Sequence, residues 1–281
     1  MIRIEKGKKR VIALYFVLRI LVISILVLNL FEHNYNNVFM CILTLILFLI
    51  PAIIDRRFNI KLPSVLECII LLFIFAAQIL GEIQGFYLHI PIWDTILHTL
   101  NGFIMAAIGF AMIDILNRSP KIHFNMSPVF VAFVSFCFSM TIGVLWEFFE
   151  YFMDVYTATD MQKDTLISMI SSVGLNNEKV NTAVVVKDIA KTVVEGSING
   201  VRTEVVIDGG FLDIGLIDTM HDLIVNCIGA ISFSVIGIFY IMGRVHFAKN
   251  FIPVMKTEEE IELEKQQEKE IKKRFFKRKA K

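Results

Sequence analysis

Lysine and arginine are missing from three long stretches of this 281-residue chain: Phe86 to Asn117, Ile122 to Gln162 and Thr203 to Gly243. The basic residues that do occur sit in clusters between apolar blocks, so no basic face is left for nucleic acid and that class of partner is excluded. No Walker loop, Rossmann glycine fingerprint, HExxH zinc pair or GxSxG elbow is present, which removes the nucleotide-binding, metalloprotease and serine-hydrolase readings those motifs carry. None of the four cysteines falls in a polar connection. Cys41, Cys68, Cys137 and Cys227 lie in apolar blocks, where a free thiol packs as a small apolar side chain and no structural disulfide is expected. No small-residue cleavage pattern follows Leu28-Asn29-Leu30-Phe31, so the first apolar block does not read as a signal peptide. Internal repeats and low-complexity linkers are lacking as well.

What the chain has in abundance is apolar side chains, 56% of all residues. They fall in long blocks, and a span needs roughly 20 mostly apolar residues to cross a hydrocarbon core about 30 Å thick. Six segments meet that length, at about 11–30, 37–54, 64–83, 94–116, 128–151 and 217–242. The expected fold class is therefore all-α, a polytopic membrane helix bundle of about six transmembrane helices with a small extracytoplasmic insertion. Lys and Arg orient it by the positive-inside bias. Arg3, Lys6, Lys8, Lys9 and Arg10 precede span one, Arg56, Arg57 and Lys61 follow span two, Arg118 and Lys121 follow span four, and Arg244 and Lys249 follow span six. Each of these places is cytoplasmic when six spans are counted from an inside start. The short connections 31–36 and 84–93 carry neither residue type, as outside loops should. The reading is a multi-pass cell-membrane protein with both termini cytoplasmic, surrounded by lipid bilayer. It comprises a basic N-terminus (1–10), helices one to five (11–151), an insertion (152–213), helix six (214–243) and a charged helical tail (244–281).

The insertion is too long for a simple turn. Thr192-Val193-Val194-Glu195 and Thr203-Glu204-Val205-Val206 flank Asn199-Gly200, a dipeptide that supplies the positive φ angles of a tight hairpin. Upstream, Asp160 to Ile170 shows apolar residues at helical spacing, which predicts a helix lying on the outer membrane surface. The tail turns from acidic to basic and ends Lys272-Lys273-Arg274-Phe275-Phe276-Lys277-Arg278-Lys279. Such an end suits anionic inner-leaflet lipid, and positive-inside anchoring alone accounts for it equally well.

Polar residues gather at the outer ends of spans four, five and six. Asp94 and His98 are four apart and share one helical face, with Asn101 a turn deeper. Glu147 and Glu150 share a face at the end of span five. Asp218, Asp222 and Asn226 form a stripe of four-residue period at the start of span six, beside His221. At 1.5 Å per residue, Asp94, Glu150 and Asp218 come to the interface, and His98, Glu147 and Asp222 about one turn deeper. Trp93 and Trp146 fall at the same layer, where an aromatic belt lies. If the three helices are neighbours, these residues make one outward-facing site. Two carboxylates 4 Å apart repel by roughly 4 kcal/mol at an effective dielectric of 20. A group of them without Lys or Arg on its own helices must take up protons, hold a cation or face water.

Plainer roles stand beside these. Asp94 and Asp218 suit helix N-caps, His221 suits a solvent-facing side chain, Asn226 suits helix-packing glue, and His98, Glu147 and Asp222 suit a structural hydrogen-bond network. If a cation is held, oxygen donors with one or two imidazoles fit a divalent metal (Zn²⁺, Mn²⁺, Fe²⁺ or Mg²⁺) and argue against copper(I). Asp94 alternatively holds the His98 ring as a partner behind the metal.

Trp93-Asp94, His98, Gly102-Phe103, Glu147, Glu150, Asp218-Thr219, Asp222 and Gly229-Ala230 resemble the motifs of YjdF-like bacterial inner-membrane proteins, a domain of unknown function, and more distantly of VanZ-like proteins associated with glycopeptide resistance. The likeness covers roughly residues 80–240. It implies a five- or six-helix membrane domain in a bacterial envelope and supplies no reaction. The chain departs from the pattern in its long insertion and in Leu216, where a further acidic residue is expected.

The leading functional expectation is an envelope enzyme acting on a lipid-linked or cell-wall substrate. In that scheme Asp94, His98, Glu147 and Asp222 ligate a divalent metal, Glu150 or Asp218 serves as general base toward water on the metal, and Asn101, His221 and Asn226 assist. A proton- or cation-coupled transporter is the alternative, opposed by inner span halves that are apolar apart from Asp114. A non-catalytic scaffold or sensor is the third class.

Overall fold

The computed structural model describes residues 6–57, 59–117, 126–178, 180–263, 266 and 269. Arg3, the Arg118–Lys121 pair and the basic end of the tail, on which parts of the orientation and lipid readings rest, lie outside the described residues.

The chain is mostly helical, and among the described residues six helical stretches are long and apolar enough to cross a membrane: Gly7–Phe31, Tyr35–Arg57, Ser64–Ile83, Trp93–Asn117, Pro128–Thr157 and Leu216–Ile241. Their helices are α1 (Lys6–Phe31), α2 (Tyr35–Leu47), α3 (Ile50–Arg57), α4 (Ser64–Phe75), α6 (Trp93–Asn117), α7 (Pro128–Thr157) and α8 (Leu216–Ile241), with a short α5 (Phe86–His89) between α4 and α6. The second span is broken into α2 and α3 because Pro51 has no N–H for the helical ladder and its ring crowds the carbonyl four residues back. The third span ends in a π-helical stretch, Ala76–Ile83. There Gly81 lies against the Tyr87 ring so closely that a Cβ would collide with it. Pro128 opens α7, a position where its missing N–H removes nothing from the helix. Gly243, with φ +70°, ends α8, and Arg244 N–H reaches back to the Phe239 carbonyl at 2.9 Å in a Schellman closure.

The described chain divides into two compact units, Met1–Ile142 with Val225–Lys281, and Gly143–Ile224. The first holds two apolar clusters. One gathers Leu18 and Val22 of α1, Cys41 of α2, Leu66 and Leu71 of α4, and Ile104 of α6. The other gathers Ala107 and Phe110 of α6, Val131 of α7 and Phe233 of α8, together with Ala248 and Ile252 from the chain beyond α8. Large apolar side chains such as Phe16, Ile20 and Leu28 point outward from α1, which suits hydrocarbon surroundings and not water. After α8 a single 3₁₀ turn, Phe247–Asn250, precedes strand β8 (Val254–Met255), which pairs antiparallel with β1 (Ile60–Lys61). The segment read as a charged helical tail therefore starts as a returning strap, and helix resumes at residue 258, with 258–263, 266 and 269 helical among the described residues.

The second unit carries the end of α7, the intervening segment and the start of α8. The expected hairpin is present as β5 (Lys191–Ile198) and β6 (Val201–Asp208), with Ile198 opposite Val201 and the two-residue turn at Asn199 (φ 52°) and Gly200 (φ 81°). The expected surface helix over 160–170 is absent. That stretch is turn and strand: β2 (Leu166–Ile167) pairs with β7 (Phe211–Leu212), and β3 (Ile170–Ser172) with β4 (Val184–Val186). The cause is local. Carboxylates outside the stretch take its backbone donors, Asp154 those of Met161 (2.6 Å) and Gln162 (2.9 Å), Asp218 that of Lys163 (2.7 Å), and Asp213 that of Thr165 (2.7 Å).

Candidate functional site

The first unit positions Asp94, His98, Asn101 and Asn226. Asp94 lies in the first turn of α6, and its Oδ1 stands 3.5 Å from Nε2 of His98 one turn on. His98 is only 8% exposed. A turn deeper, Asn101 Nδ2 donates to Asn226 Oδ1 of α8 at 3.1 Å, and Asn226 Nδ2 faces Met140 Sδ at 3.5 Å. This amide pair ties α6 to α8 where the two helices run backbone to backbone. A Cβ on Gly102 would strike the Asn226 carbonyl, and one on Gly229 would strike the Thr99 carbonyl. From α7, Ser139 Oγ donates to the Gly102 carbonyl at 2.8 Å and Ser135 Oγ to the Ala106 carbonyl at 2.5 Å. Small residues and side-chain hydrogen bonds hold these helices together, as expected where hydrocarbon removes the hydrophobic drive.

The second unit positions Glu147, Glu150, Asp218, His221 and Asp222. Three of the carboxylates are buried: Asp222 at 1% exposure, Glu147 at 4% and Glu150 at 8%. Glu150 Oε1 accepts from Trp146 Nε1 at 2.8 Å, so the tryptophan read as an interfacial anchor also orients an acid. Asp218 is half-buried and accepts from Lys163 N–H. It is not the N-cap of α8, which begins at Leu216; the side-chain cap comes from Asp213 upstream, which accepts from Ile217 N–H at 2.8 Å. Asp94 likewise lies inside its helix. His221 is exposed, with Nδ1 3.5 Å from Asp222 Oδ1, in keeping with its solvent-facing reading.

Sequence reading missed Gln162 and gave Thr219 no role beyond its place in the Asp218-Thr219 motif. Gln162 Nε2 donates to Thr219 Oγ1 at 2.7 Å and reaches Glu147 Oε2 at 3.5 Å, which joins the end of α7 to the start of α8 within this unit. Nothing in the spacing marks Gln162, because its place depends on the Asp154 clamp upstream. Close by, the Asp164 carboxyl is pushed above the ordinary range by partial burial, and then by the charges of Asp160, Asp213 and Asp154.

Carboxylate oxygens and imidazole nitrogens are each donors suited to hard or borderline divalent cations, and Asp94 next to His98 is a pairing that fixes an imidazole tautomer. Residues 13–243 match a family model described as Predicted membrane protein (DUF2238). No curated protein and no solved structure matches the chain.

Proposed function

From the premise that the chain belongs to the DUF2238 family of membrane proteins, a description that names a location and no chemistry, we propose a divalent-metal-dependent enzyme of the bacterial envelope that acts on a lipid-linked or cell-wall substrate. The observation that carries this reading is the burial of Glu147, Glu150, Asp222 and His98 on helices that contain no Lys or Arg. Ionisable groups inside membrane helices are costly, and they persist where they pair, bind or react.

Asp94, His98, Glu147 and Asp222 are the proposed ligands. Helix periodicity supports the set, since Asn101 and Asn226 join α6 to α8 and each lies about one turn from a proposed ligand, His98 and Asp222. A bound cation would supply Lewis acidity and an activated water. Glu150, oriented by Trp146, or Asp218 would accept the proton, with Asn101, His221 and Asn226 in supporting places. The likeness of the Trp93 to Phe103 and Asp218 to Ala230 motifs to YjdF-like and VanZ-like proteins supports an envelope setting. The Lys and Arg distribution supports cytoplasmic termini, with the 152–213 segment on the other side. Transport is the weaker reading, because the hydroxyl protons of Ser139, at the level of Gly102, and of Ser135, about one turn deeper, are committed to backbone carbonyls.

Elemental analysis of the purified protein tests the metal. The expected result is about one divalent cation per chain, lost in Glu147→Ala; a wild-type preparation free of divalent metal, even after incubation with Zn²⁺ or Mn²⁺, ends the reading.

A further inference from the structure

The strap beyond α8 builds a second feature, remote in sequence from the acidic residues and wholly within the first unit. Lys256 is buried at 6% exposure, and its Nζ donates to Asp55 Oδ2 of α3 at 2.8 Å while its N–H bonds the Asn59 carbonyl at 2.9 Å. Four residues on, Glu260 Oε1 accepts from the Lys61 ammonium at 2.9 Å, and Thr257 and Glu260 exchange side-chain-to-backbone hydrogen bonds in a capping box that starts the following helix. These contacts fix Pro253 over the connection between α3 and α4. The result is an apolar depression walled by Ile54 of α3, Ile60 and Leu62 of the connection, Ala111 and Ile115 of α6, and Pro253, with no polar surface in its lining. Its rim residue Met112 is exposed, as is Ile53 nearby, so in a membrane the depression opens to acyl chains.

Charged side chains surround the depression, Asp114 of α6 among them. Lys61 and Lys256 are matched by Glu260 and Asp55, whereas Arg56 and Arg57, both exposed, take part in no ion pair among the described residues. Arg57 lies three residues beyond Ile54 on α3, so it rises from the same helical face one turn along. A guanidinium is suited to phosphate because it offers a planar pair of donors. We propose that an anionic phospholipid docks here, its phosphate held by Arg57 and Arg56 and a short stretch of one acyl chain packed over the depression. The site as proposed uses none of residues 272–281, and it requires the strap as a wall.

Native mass spectrometry of the full chain, released from micelles containing equal phosphatidylglycerol and phosphatidylcholine of matched acyl chains, tests it. The wild type is expected to retain one phosphatidylglycerol in preference to phosphatidylcholine. Arg57→Ala should lower that preference about tenfold, the effect of losing one charge-assisted contact. Met112→Trp, at an exposed rim position that leaves the packed core alone, should displace both lipids. Removal of residues 272–281 should leave retention unchanged. Equal retention of the two lipids by the wild type, no effect of Arg57→Ala, or loss on removal of 272–281 instead would each overturn the assignment.

Discussion

Asp222 and Glu147 carry the sharpest consequences of single side chains. A carboxylate at 1% exposure on an apolar helix bears a desolvation penalty that a neutral amide of the same shape does not. In metal-free protein, Asp222→Asn should therefore leave the thermal midpoint equal or raised. With Zn²⁺ or Mn²⁺ added, wild type should gain stability by mass action and the variant should not. A variant that unfolds without metal would instead mark Asp222 as a structural strut. Differential scanning fluorimetry in detergent with and without metal reads both. Gly102 is constrained differently, since the Asn226 carbonyl occupies the space a Cβ needs. Gly102→Val should cost about 1–3 kcal/mol through forced separation of α6 and α8, seen as a lowered midpoint with or without metal. The pairing of Asp94 with His98 was legible from a four-residue spacing, because one helix turn fixes it. The place of Gln162 was not, since it follows from hydrogen bonds to Asp154 eight residues earlier and to Thr219 far along the chain.

Among elements, those whose cause is local were readable and those whose cause is tertiary were not. Asn199-Gly200 dictates its hairpin through two positive φ angles, whatever surrounds it. Residues 160–170 carry a helical apolar rhythm yet lose the helix, because Asp154, Asp213 and Asp218 capture their N–H groups. Asp154→Ala removes the acceptor for Thr159, Met161 and Gln162 together. Amides of 159–165 should then exchange with solvent faster by about tenfold or more, while those of β5 and β6 keep their protection. The strap was equally hidden: nothing in Val254-Met255 announces Ile60-Lys61 as its partner. Its hold has a pH signature. The Glu260 carboxyl is kept below its usual value of 4.5, first by the hydrogen bond from Lys61 and then by that from the Thr257 N–H. A depressed acid contributes stability above its unfolded pKa and loses it as pH falls through the folded one. Amide protection over 254–263, corrected for intrinsic rates, should thus weaken below about pH 4.5, and Glu260→Gln should remove that dependence.

At the scale of the whole molecule, the six spans were readable because the bilayer imposes a length and a polarity on every crossing, and a helix satisfies its backbone groups within its own segment. Breaks within spans escaped notice because they leave hydropathy unchanged: Pro51 splits the second, and the π-helical stretch ends the third. Orientation rests on a different physical term, the placement of Lys and Arg, and it decides whether the acidic helix ends face the envelope at all. On the proposed reading, six spans put both termini on one side, and the positive-inside bias would make that side cytoplasmic. A single cysteine introduced at Gly200, in a background with Cys41, Cys68, Cys137 and Cys227 replaced by Ala, should react with a membrane-impermeant maleimide in intact cells. A cysteine at Lys249 in the same background should react only after the cells are opened. The reverse labelling pattern would place Asp94, Glu150 and Asp218 toward the cytoplasm. A lipid-linked cell-wall substrate would then have to be met on its cytoplasmic face, before export, and the enzyme would belong to assembly of the precursor and not to its use outside.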